Sequence, residues 1–506
     1  YTLTVLPAAD GEDLEFGTPK GLPASADKPA AKLPAAGEFK TVASSLDRKS
    51  GVPEVKTFPA LSFPAIQRGK LKNGIDVVLA ERHTIPVVQM QLLFDAGFAS
   101  DRGRTLGTSS FAMTMLDEGT QTLDSVEIAR RSEMLGAQIG AGSGLDSSSA
   151  SLNALKSQLP ASLDLFADVV RNPAFRMADI ERIRGQWLAA IAQEKTQPGS
   201  IALRILPPLL YGGNHAYGIP FTGTGTEASI KSLGAEDLRA FHRDYIRPDN
   251  VQILVAGDTT LAEITAELDR VFGNWDAAEM PIPKKSVADV DAQKTARVFL
   301  IDRPDSPQTL ILTGALAPST RTPNNLDIQT MNDVFGGNFT SRLNMNLRED
   351  KRWAYGASSF LQDAIGQRPF ITYASVQTDK SAESVHEILK ESRAIIGTRP
   401  VTDEELARAK AQSIRALPGS FETTRSVLGV LVGNALYTRA DDYVTTLKAK
   451  YEAQTDADIE AAAKQIIQPD ALTWVIVGDL KKIEQPLRAL KLGEVSVLDA
   501  DGKTVP

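Results

Sequence analysis

Histidine and cysteine, the side chains that most often hold zinc, are scarce in this sequence. There is no cysteine, which excludes disulfides, thiolate metal sites and a cysteine nucleophile. The four histidines are His83, His215, His242 and His386. No two of them stand four residues apart, which is the spacing that places two imidazoles on one face of a helix. The residues alone therefore indicate no metal centre.

One pair of residues does have a possible chemical role. Arg348 and Tyr355 stand seven residues apart in the stretch Leu-Arg-Glu-Asp-Lys-Arg-Trp-Ala-Tyr. Both side chains donate hydrogen bonds, and donors aimed at a developing oxyanion stabilise the transition state of acyl transfer. The structural alternative is an arginine at a helix end that pairs with a carboxylate, and a tyrosine packed on a sheet. Spacing alone favours this structural alternative.

Length and composition are those of an ordinary globular protein. The chain has 506 residues, 42% hydrophobic and 23% charged, which suits roughly two to four domains with buried cores. A net charge of −8 and a pI of about 5.3 disfavour a broad nucleic-acid-binding surface. No apolar run reaches the roughly 18 residues that span a bilayer. The absence of cysteine suits an oxidising compartment such as a bacterial periplasm.

The N-terminal region differs from the rest of the chain. Residues 1–7 alternate like a short strand, and the stretch from Ala8 to about Gly51 has the Ala- and Pro-rich composition typical of a linker. The strand is either an incidental edge strand or the last strand of a preceding domain. Because the chain begins at Tyr1 with no signal peptide, we expect it to have been cut, by processing or by design.

An internal repeat organises the remainder. The segment Arg247-Pro-Asp-Asn-Val-Gln-Ile-Leu-Val-Ala-Gly-Asp258 is matched by Gln468-Pro-Asp-Ala-Leu-Thr-Trp-Val-Ile-Val-Gly-Asp479, at a constant offset of 221 residues. A common turn–strand–turn pattern occurring twice fits less well, because both copies close units of similar length. We therefore predict an α+β protein with two homologous domains of roughly 220 residues each, within the usual domain range.

The predicted boundaries follow from composition. Residues 1–62 hold the strand remnant and the Ala/Pro-rich linker. The two homologous domains are predicted at 63–275 and 295–490. Between them, 276–294 contains prolines and a Lys-Lys pair and is predicted as an interdomain linker, while 491–506 is predicted as a C-terminal tail.

Several stretches together resemble a known peptidase family. They are Leu71-Lys-Asn-Gly74, Tyr211-Gly-Gly-Asn-His-Ala-Tyr-Gly218, Phe241-His-Arg-Asp-Tyr-Ile-Arg-Pro-Asp-Asn250, and Phe335-Gly-Gly-Asn-Phe-Thr-Ser-Arg-Leu343, continuing to Tyr355. Each is weak alone, but their order and spacing are specific. From about residue 65 to 490 the chain is similar to the pitrilysin or insulinase-type metallopeptidases, also called inverzincins. Relatives include insulin-degrading enzyme, the mitochondrial processing peptidase and the core proteins of the respiratory cytochrome bc complex.

The resemblance also shows what this chain lacks. Active members carry His-x-x-Glu-His on a helix of the first domain; the histidines and a distal Glu hold zinc, and the Glu of the motif is the general base. The matching positions here are Ser110, Met113 and Thr114, and the distal position falls near Ala189 or Ala190. Hydroxyls are poor zinc ligands, and a methionine cannot act as a base. We therefore expect this chain to bind no metal and to lack peptidase activity by itself.

The resemblance implies a fold and a role. Each domain is expected to be a mixed β-sheet packed with helices, and two such halves make a clamshell around a peptide chamber. This chain would be one half, binding peptide and supplying Arg348 and Tyr355 to a zinc site on a homologous partner half. That partner is either the N-terminal part of the same polypeptide or a separate subunit. The alternative is a non-enzymatic assembly subunit, like the respiratory core proteins.

Overall fold

The structure, a computed structural model, describes residues 59–505 together with Ser44 and Gly51. The strand predicted at residues 1–7 lies outside the described residues. Between Pro59 and Val505 the chain forms two six-stranded mixed sheets, each covered by helices. The predicted fold class, two similar sheets packed with helices, is confirmed. The predicted domain boundaries stay predictions, because both sheets lie in one compact unit.

The two sheets have matching strand orders. The first sheet contains β1 (Ile66–Lys70), β2 (Asp76–Glu81), β3 (Val87–Phe94), β4 (Gln138–Ser143), β5 (Ser148–Leu155) and β6 (Val251–Gly257). The second contains β7 (Arg297–Asp302), β8 (Gln308–Ala317), β9 (Ala354–Leu361), β10 (Arg368–Gln377), β11 (Thr473–Gly478) and β12 (Glu494–Leu498). Their orders are β1-β2-β6-β3-β5-β4 and β12-β7-β11-β8-β10-β9. In both sheets the strand that closes the repeat, β6 or β11, is central and pairs in parallel with the first strand of the repeat's core, β2 or β7.

Helices fill the connections. In the first repeat they are α1 (Thr108–Thr114), α2 (Ser125–Leu135), α3 (Leu159–Arg171), α4 (Met177–Glu194), α5 (Pro198–Tyr211), α6 (Glu227–Ser232), α7 (Ala235–Tyr245) and α8 (Leu261–Phe272). In the second they are α9 (Asn325–Asn332), α10 (Arg342–Asn344), α11 (Ser381–Ile395), α12 (Asp403–Ser420), α13 (Thr424–Tyr437), α14 (Tyr443–Ala453), α15 (Asp456–Ile466) and α16 (Leu480–Ala489). Five of these helices begin with a threonine capping box, in which the threonine hydroxyl accepts from the third helical N–H: Thr226, Thr260, Thr402, Thr423 and Thr455. No helix of the described part combines the length and the hydropathy needed to cross a bilayer.

The two repeats exchange a helix. Helix α5 of the first repeat packs on β8 and β11 of the second sheet, where Leu206 contacts Gly314 so closely that a Cβ there would lie 2.8 Å from the leucine methyls. Helix α13 of the second repeat packs on β3 and β6 of the first sheet, with Val427 and Leu431 in a buried cluster with Leu254. Each sheet therefore has one face completed by the other repeat.

A buried polar node also joins the repeats. Asp146, in the β4–β5 turn, accepts a 2.6 Å hydrogen bond from the Tyr217 hydroxyl and a 2.8 Å bond from the backbone N–H of Ile365 in the β9–β10 turn. The N–H of Gly366 donates to the same Tyr217 oxygen at 3.0 Å. Tyr217, which belongs to the stretch Tyr211–Gly218, therefore has a structural role: its hydroxyl links the β4–β5 turn to the β9–β10 turn.

Two parts of the sheets differ from the sequence-based expectation. Strand β12 lies in the segment 491–506, which we predicted as a tail; it pairs in parallel with β7 over five residues. Strands β4 and β5 were not predicted, because their Gly- and Ser-rich sequences have weak strand propensity. The segment 276–294 contains no helix or strand, but the side chain of Lys285 is largely buried and its ammonium lies 2.6 Å from an Asp95 oxygen.

Candidate functional site

Helix α1 carries the positions that match the zinc motif. It begins after Gly107, whose φ of 90° is in the left-handed region and where a Cβ would lie 2.9 Å from the Thr224 carbonyl oxygen. Both oxygens of Asp101 cap the helix, accepting from the N–H of Gly107 at 2.8 Å and of Ser109 at 2.9 Å. Sequence reasoning missed Asp101, because it lies outside the helix that it caps.

The side chains on this helix do not fit a zinc ion. Met113 is fully buried in the first core, while Ser110 and Thr114 are half-buried. Ala189 lies on the exposed face of α4 and has no donor atom in its side chain. Neither hydroxyls nor a thioether in the core supply the imidazole and carboxylate ligands that zinc prefers. Among residues 59–505 no group of three or more His, Cys, Asp or Glu side chains is arranged to hold a metal.

The two histidines nearest the family-like stretches are structural. His215 accepts from the Tyr217 N–H at 3.0 Å, donates to the Ala288 carbonyl at 2.9 Å and stacks on Tyr211 at 5.0 Å. His242 donates to the Val170 carbonyl at 2.7 Å. Burial lowers the pKa of both imidazoles. Both imidazoles are therefore neutral and have structural roles.

The Asp101 cap predicts a pH dependence of stability. Burial raises the pKa of its carboxyl to about 7, although the two N–H donors lower it. Between about pH 4 and 7 the folded state keeps the proton that the unfolded state loses, so this group makes stability fall as pH rises, by up to about 1.4 kcal/mol per unit. We expect Asp101→Asn to flatten that slope, measured by chemical denaturation at pH 4.5, 5.5 and 6.5.

The control for that measurement is Asp124→Asn, which changes an exposed carboxylate that caps α2 through the Glu127 N–H. It should keep the parent slope. The carboxyl of Asp333, whose pKa burial raises to about 6, contributes in the same sense and remains in both variants. An unchanged slope in Asp101→Asn would show that Asp101 ionises normally in the fold.

Arg348 and Tyr355 lie in a segment of irregular backbone. Two π-helical turns, Asp333–Gly337 and Met345–Asp350, precede β9, and Arg348 is in the second. The turn from this helix into β9 passes through Arg352 in a left-handed conformation, with φ of 60°. π-turns and positive φ at a non-glycine residue are uncommon and cluster at functional sites. No pattern of residue types in this segment predicts them.

Tyr355 stands out from the second sheet. It is 88% exposed, on β9, which is an edge strand. The pairing of β9 with β10 shifts register here: Ala357 is opposite Ala374, but Ala354 is opposite Val376. Tyr355 and Gly356 therefore form a bulge opposite one residue, and bulges commonly redirect a side chain beside an active site. The structural alternative, a tyrosine packed on the sheet, does not describe Tyr355.

Arg348 is half-exposed and makes weak contacts. Its guanidinium carbon lies 4.7 Å from the centre of the Phe339 ring, and its Nε lies 3.6 Å from a carboxylate oxygen of the neighbouring Glu349. Phe339 is itself 58% exposed. Sequence reasoning missed Phe339, although it lies in the strongest family-like stretch. An arginine stacked on an exposed ring keeps its donors available, since a cation–π contact uses the face of the ring.

Arg342 anchors this segment. It is buried and forms a bidentate pair with Glu405 at the start of α12, at 2.8 and 2.6 Å. It also donates to the backbone carbonyls of Arg399 and Pro400. Two parallel charge-assisted bonds fix both position and angle. The Ser-Arg-Leu part of the stretch is therefore structural and positions the turn that carries Arg348.

Comparisons with known proteins agree with this geometry. Residues 76–217, which contain α1, match the family described as Insulinase (Peptidase family M16). Residues 232–413, which contain Arg348 and Tyr355, match the family described as Peptidase M16 inactive domain. The two matches together take up more than half of the chain. This chain belongs to the M16 peptidase family. The resemblance to insulinase-type peptidases is thus confirmed.

Similar proteins are found in several bacteria. The uncharacterized zinc protease YmxG of Bacillus subtilis is 25% identical over 361 residues, which cover 71% of this chain and 86% of YmxG. The uncharacterized zinc protease Rv2782c of Mycobacterium tuberculosis is 23% identical over 431 residues, covering 84% and 97%.

Solved structures of similar proteins have the same fold. The crystal structure of a peptidase M16 inactive domain from Pseudomonas fluorescens has a TM-score of 0.76 at 25% identity, covering 82% of this chain and 98% of that one. A protease from Helicobacter pylori has a TM-score of 0.75 at 18% identity, covering 82% and 99%.

Proposed function

We propose that this chain is the non-catalytic half of a two-part M16 peptidase. It binds peptide and supplies Arg348 and Tyr355 to the catalytic site of a homologous, zinc-bearing half. Proteins of this family pair two homologous halves. The cysteine-free sequence suits an oxidising compartment such as the bacterial periplasm.

The exposure of Tyr355 is the observation that carries this proposal. A tyrosine at 88% exposure contributes almost nothing to the stability of its own domain, yet it sits on a bulge beside two π-turns. Irregular backbone is costly and persists where the surroundings impose it. Together with the stacked but available guanidinium of Arg348, this arrangement presents two hydrogen-bond donors outward. Such donors have a use when a second half closes over them.

The first repeat supports the same proposal because its matched positions lack the side chains for zinc binding and water activation. With Met113 in the core and hydroxyls at positions 110 and 114, the scaffold of an M16 catalytic helix is kept without the groups that hold zinc or activate water. Peptide binding in a chamber shared by the two halves needs the M16 fold of this repeat but not a zinc site or a general base. An assembly subunit would also keep the scaffold, but it would have no use for an exposed Tyr355.

Metal analysis tests the first part of the proposal. After dialysis at neutral pH we expect no stoichiometric zinc, because none of the matched positions offers an imidazole or a carboxylate. Elemental analysis of the purified chain measures this. The matched control is Ser110→His combined with Thr114→His, which restores two imidazoles at i and i+4 and should raise the zinc content. One tightly bound zinc per parent chain, lost on changing Ser110 and Thr114 to alanine, would contradict the proposal.

A further inference from the structure

Arg348 and Tyr355 stand on two different pieces of backbone. Arg348 belongs to the π-helical turn Met345–Asp350, whereas Tyr355 belongs to the bulge in β9. Both side chains are exposed, so neither is fixed by burial in its own surroundings. Two donors that serve one reacting group must be held at a fixed separation, and side chains behind them provide that support. A contact that joins the two pieces of backbone is therefore needed.

The buried side chain of Asn344 joins them. It belongs to α10, four residues before Arg348, and is 5% exposed. Its Nδ2 donates to the Phe339 carbonyl at 2.7 Å, and its Oδ1 accepts from the Ala357 N–H at 3.3 Å. A carbonyl can only accept and an N–H can only donate, so these two partners fix the orientation of the amide. A side chain without the amide leaves both buried partners unpaired.

One end of the Asn344 amide restrains the residue on which Arg348 stacks. The ring of Phe339 is exposed, so its position depends on its backbone, and the backbone carbonyl is bonded to Asn344. The next residues form a turn in which Asn338 Oδ1 accepts from the Thr340 N–H at 3.0 Å. Stacking on a restrained ring limits the rotamers of an exposed arginine. Asn344 therefore acts on Arg348 through Phe339.

The other end of the amide holds β9 beside the bulge. Ala357 is the first residue paired with β10 after Tyr355 and Gly356. A Cβ on Gly356 would lie 3.9 Å from Asn344 Oδ1, so the amide oxygen lies against the bulge. A bulge disrupts the ladder, and β9 has one neighbouring strand among the described strands. The bond from Asn344 therefore restrains the backbone that carries Tyr355.

A second buried asparagine supports the same strand without making this connection. Asn332, the last residue of α9, is 9% exposed. Its Nδ2 donates to the Ser359 carbonyl at 3.1 Å, and its Oδ1 accepts from the Ser359 hydroxyl at 2.7 Å. Both of these bonds go to β9, and neither reaches the Phe339 backbone. Comparing the two asparagines therefore separates support of the strand from the link between Arg348 and Tyr355.

We propose that Asn344 is a positioning residue that sets Arg348 and Tyr355 relative to each other in the catalytic site of the assembled peptidase. It acts on Arg348 through Phe339, and on Tyr355 through the N–H of Ala357. The buried amide itself does not touch the substrate. This inference rests on the proposed function, because the placement of the two donors affects turnover only where they serve a catalytic site.

Kinetics of the purified pair of halves tests this link. Asn344→Leu keeps the approximate size of the side chain and removes both hydrogen bonds. We expect kcat to fall by roughly 10- to 100-fold and KM to rise by about threefold, because both donors are displaced. In that background Tyr355→Phe should cost about tenfold or less, instead of roughly 10²–10³, since a displaced hydroxyl stabilises the oxyanion poorly. A loss of folded protein would change neither KM nor the size of the Tyr355→Phe effect.

The matched control is Asn332→Leu. It should lower Tm as Asn344→Leu does, while keeping the parent KM and the full effect of Tyr355→Phe. Phe339→Leu tests the contact to Arg348 at an exposed position, where folding is not threatened. It should raise KM by about threefold, and Phe339→Tyr should restore the parent KM because the ring is kept. A parent KM in Phe339→Leu overturns the proposal even if Asn344→Leu does not fold.

Hydrogen exchange of the isolated chain gives a readout that needs no partner. In Asn344→Leu the Ala357 N–H should exchange at least about tenfold faster than in the parent, whereas Asn332→Leu should leave it within about threefold. Unchanged exchange at Ala357, or a parent KM together with the full Tyr355→Phe effect in Asn344→Leu, overturns the proposal. No turnover by the parent pair, with the expected exchange, contradicts the proposed function and leaves the restraint on β9 established.

Discussion

Replacing Tyr355 with phenylalanine is expected to lower kcat of the assembled peptidase by roughly 10²–10³. Attack on the scissile carbonyl creates an oxyanion, and a donor aimed at that charge stabilises the transition state more than the bound substrate. The phenylalanine variant keeps the ring and removes only the donor. Because Tyr355 is 88% exposed in this half, the change should leave folding and association intact. Steady-state kinetics of the purified pair measures the effect.

Arg348→Ala should act differently on the same enzyme. The guanidinium can hold a substrate backbone carbonyl, so its loss should raise KM as well as lower kcat. The matched control is Tyr443→Phe, which removes the hydroxyl of a half-buried tyrosine on α14. That variant should keep parent kinetics. If Tyr355→Phe and Arg348→Ala both keep full kcat/KM while the halves remain paired, the two residues are structural.

The isolated chain should hydrolyse no peptide, and turnover should appear when the zinc-bearing half is added. An unstructured fluorogenic peptide is the substrate. We expect the mixture to exceed the isolated chain by at least about 10³-fold, because residues 59–505 hold no cluster of metal ligands and Met113 stands at the position that matches the general base. A chelator should abolish the activity of the mixture.

Two outcomes would contradict that expectation. Chelator-sensitive turnover by the isolated chain that survives Met113→Ala would place a catalytic centre elsewhere in it. A stable pair of halves that shows no turnover under any condition would favour the assembly role of the respiratory core proteins. In the active pair, Met113→Ala should change stability rather than kinetics, since this side chain is wholly in the core.

Sequence reasoning predicted the elements with strong local signals. Strand β7 begins at Arg297, two residues after the predicted start of the second domain at 295. The repeat offset of 221 residues led to the paired sheets, because β6 and β11 are apolar central strands bounded by the same turn residues. These signals come from neighbouring residues in the sequence, and the structure contains the elements that they predict.

Sequence reasoning did not predict the structural features that depend on long-range contacts. Strand β12 is only five residues long, and its place beside β7 depends on a partner almost 200 residues earlier. The π-turns around Arg348 and the bulge at Tyr355 have no signature in residue type, because they are imposed by packing such as the Arg342–Glu405 pair. Arg348 and Tyr355 were therefore found from the family resemblance, whereas the exposure of Tyr355 could be seen only in the structure.

The exchange of α5 and α13 has a consequence for how this chain is made. The first sheet is fully synthesised once β6 ends at Gly257, but the helix that covers its second face begins only at Thr424. On a ribosome, this sheet emerges with an apolar face that has no cover until most of the second repeat has followed. Such transient apolar surface attracts other nascent chains and chaperones. Folding of the first repeat is therefore complete only when the second repeat is present. A chain truncated between Gly257 and Thr424 would lack α13, and its first sheet would keep an uncovered apolar face that promotes aggregation.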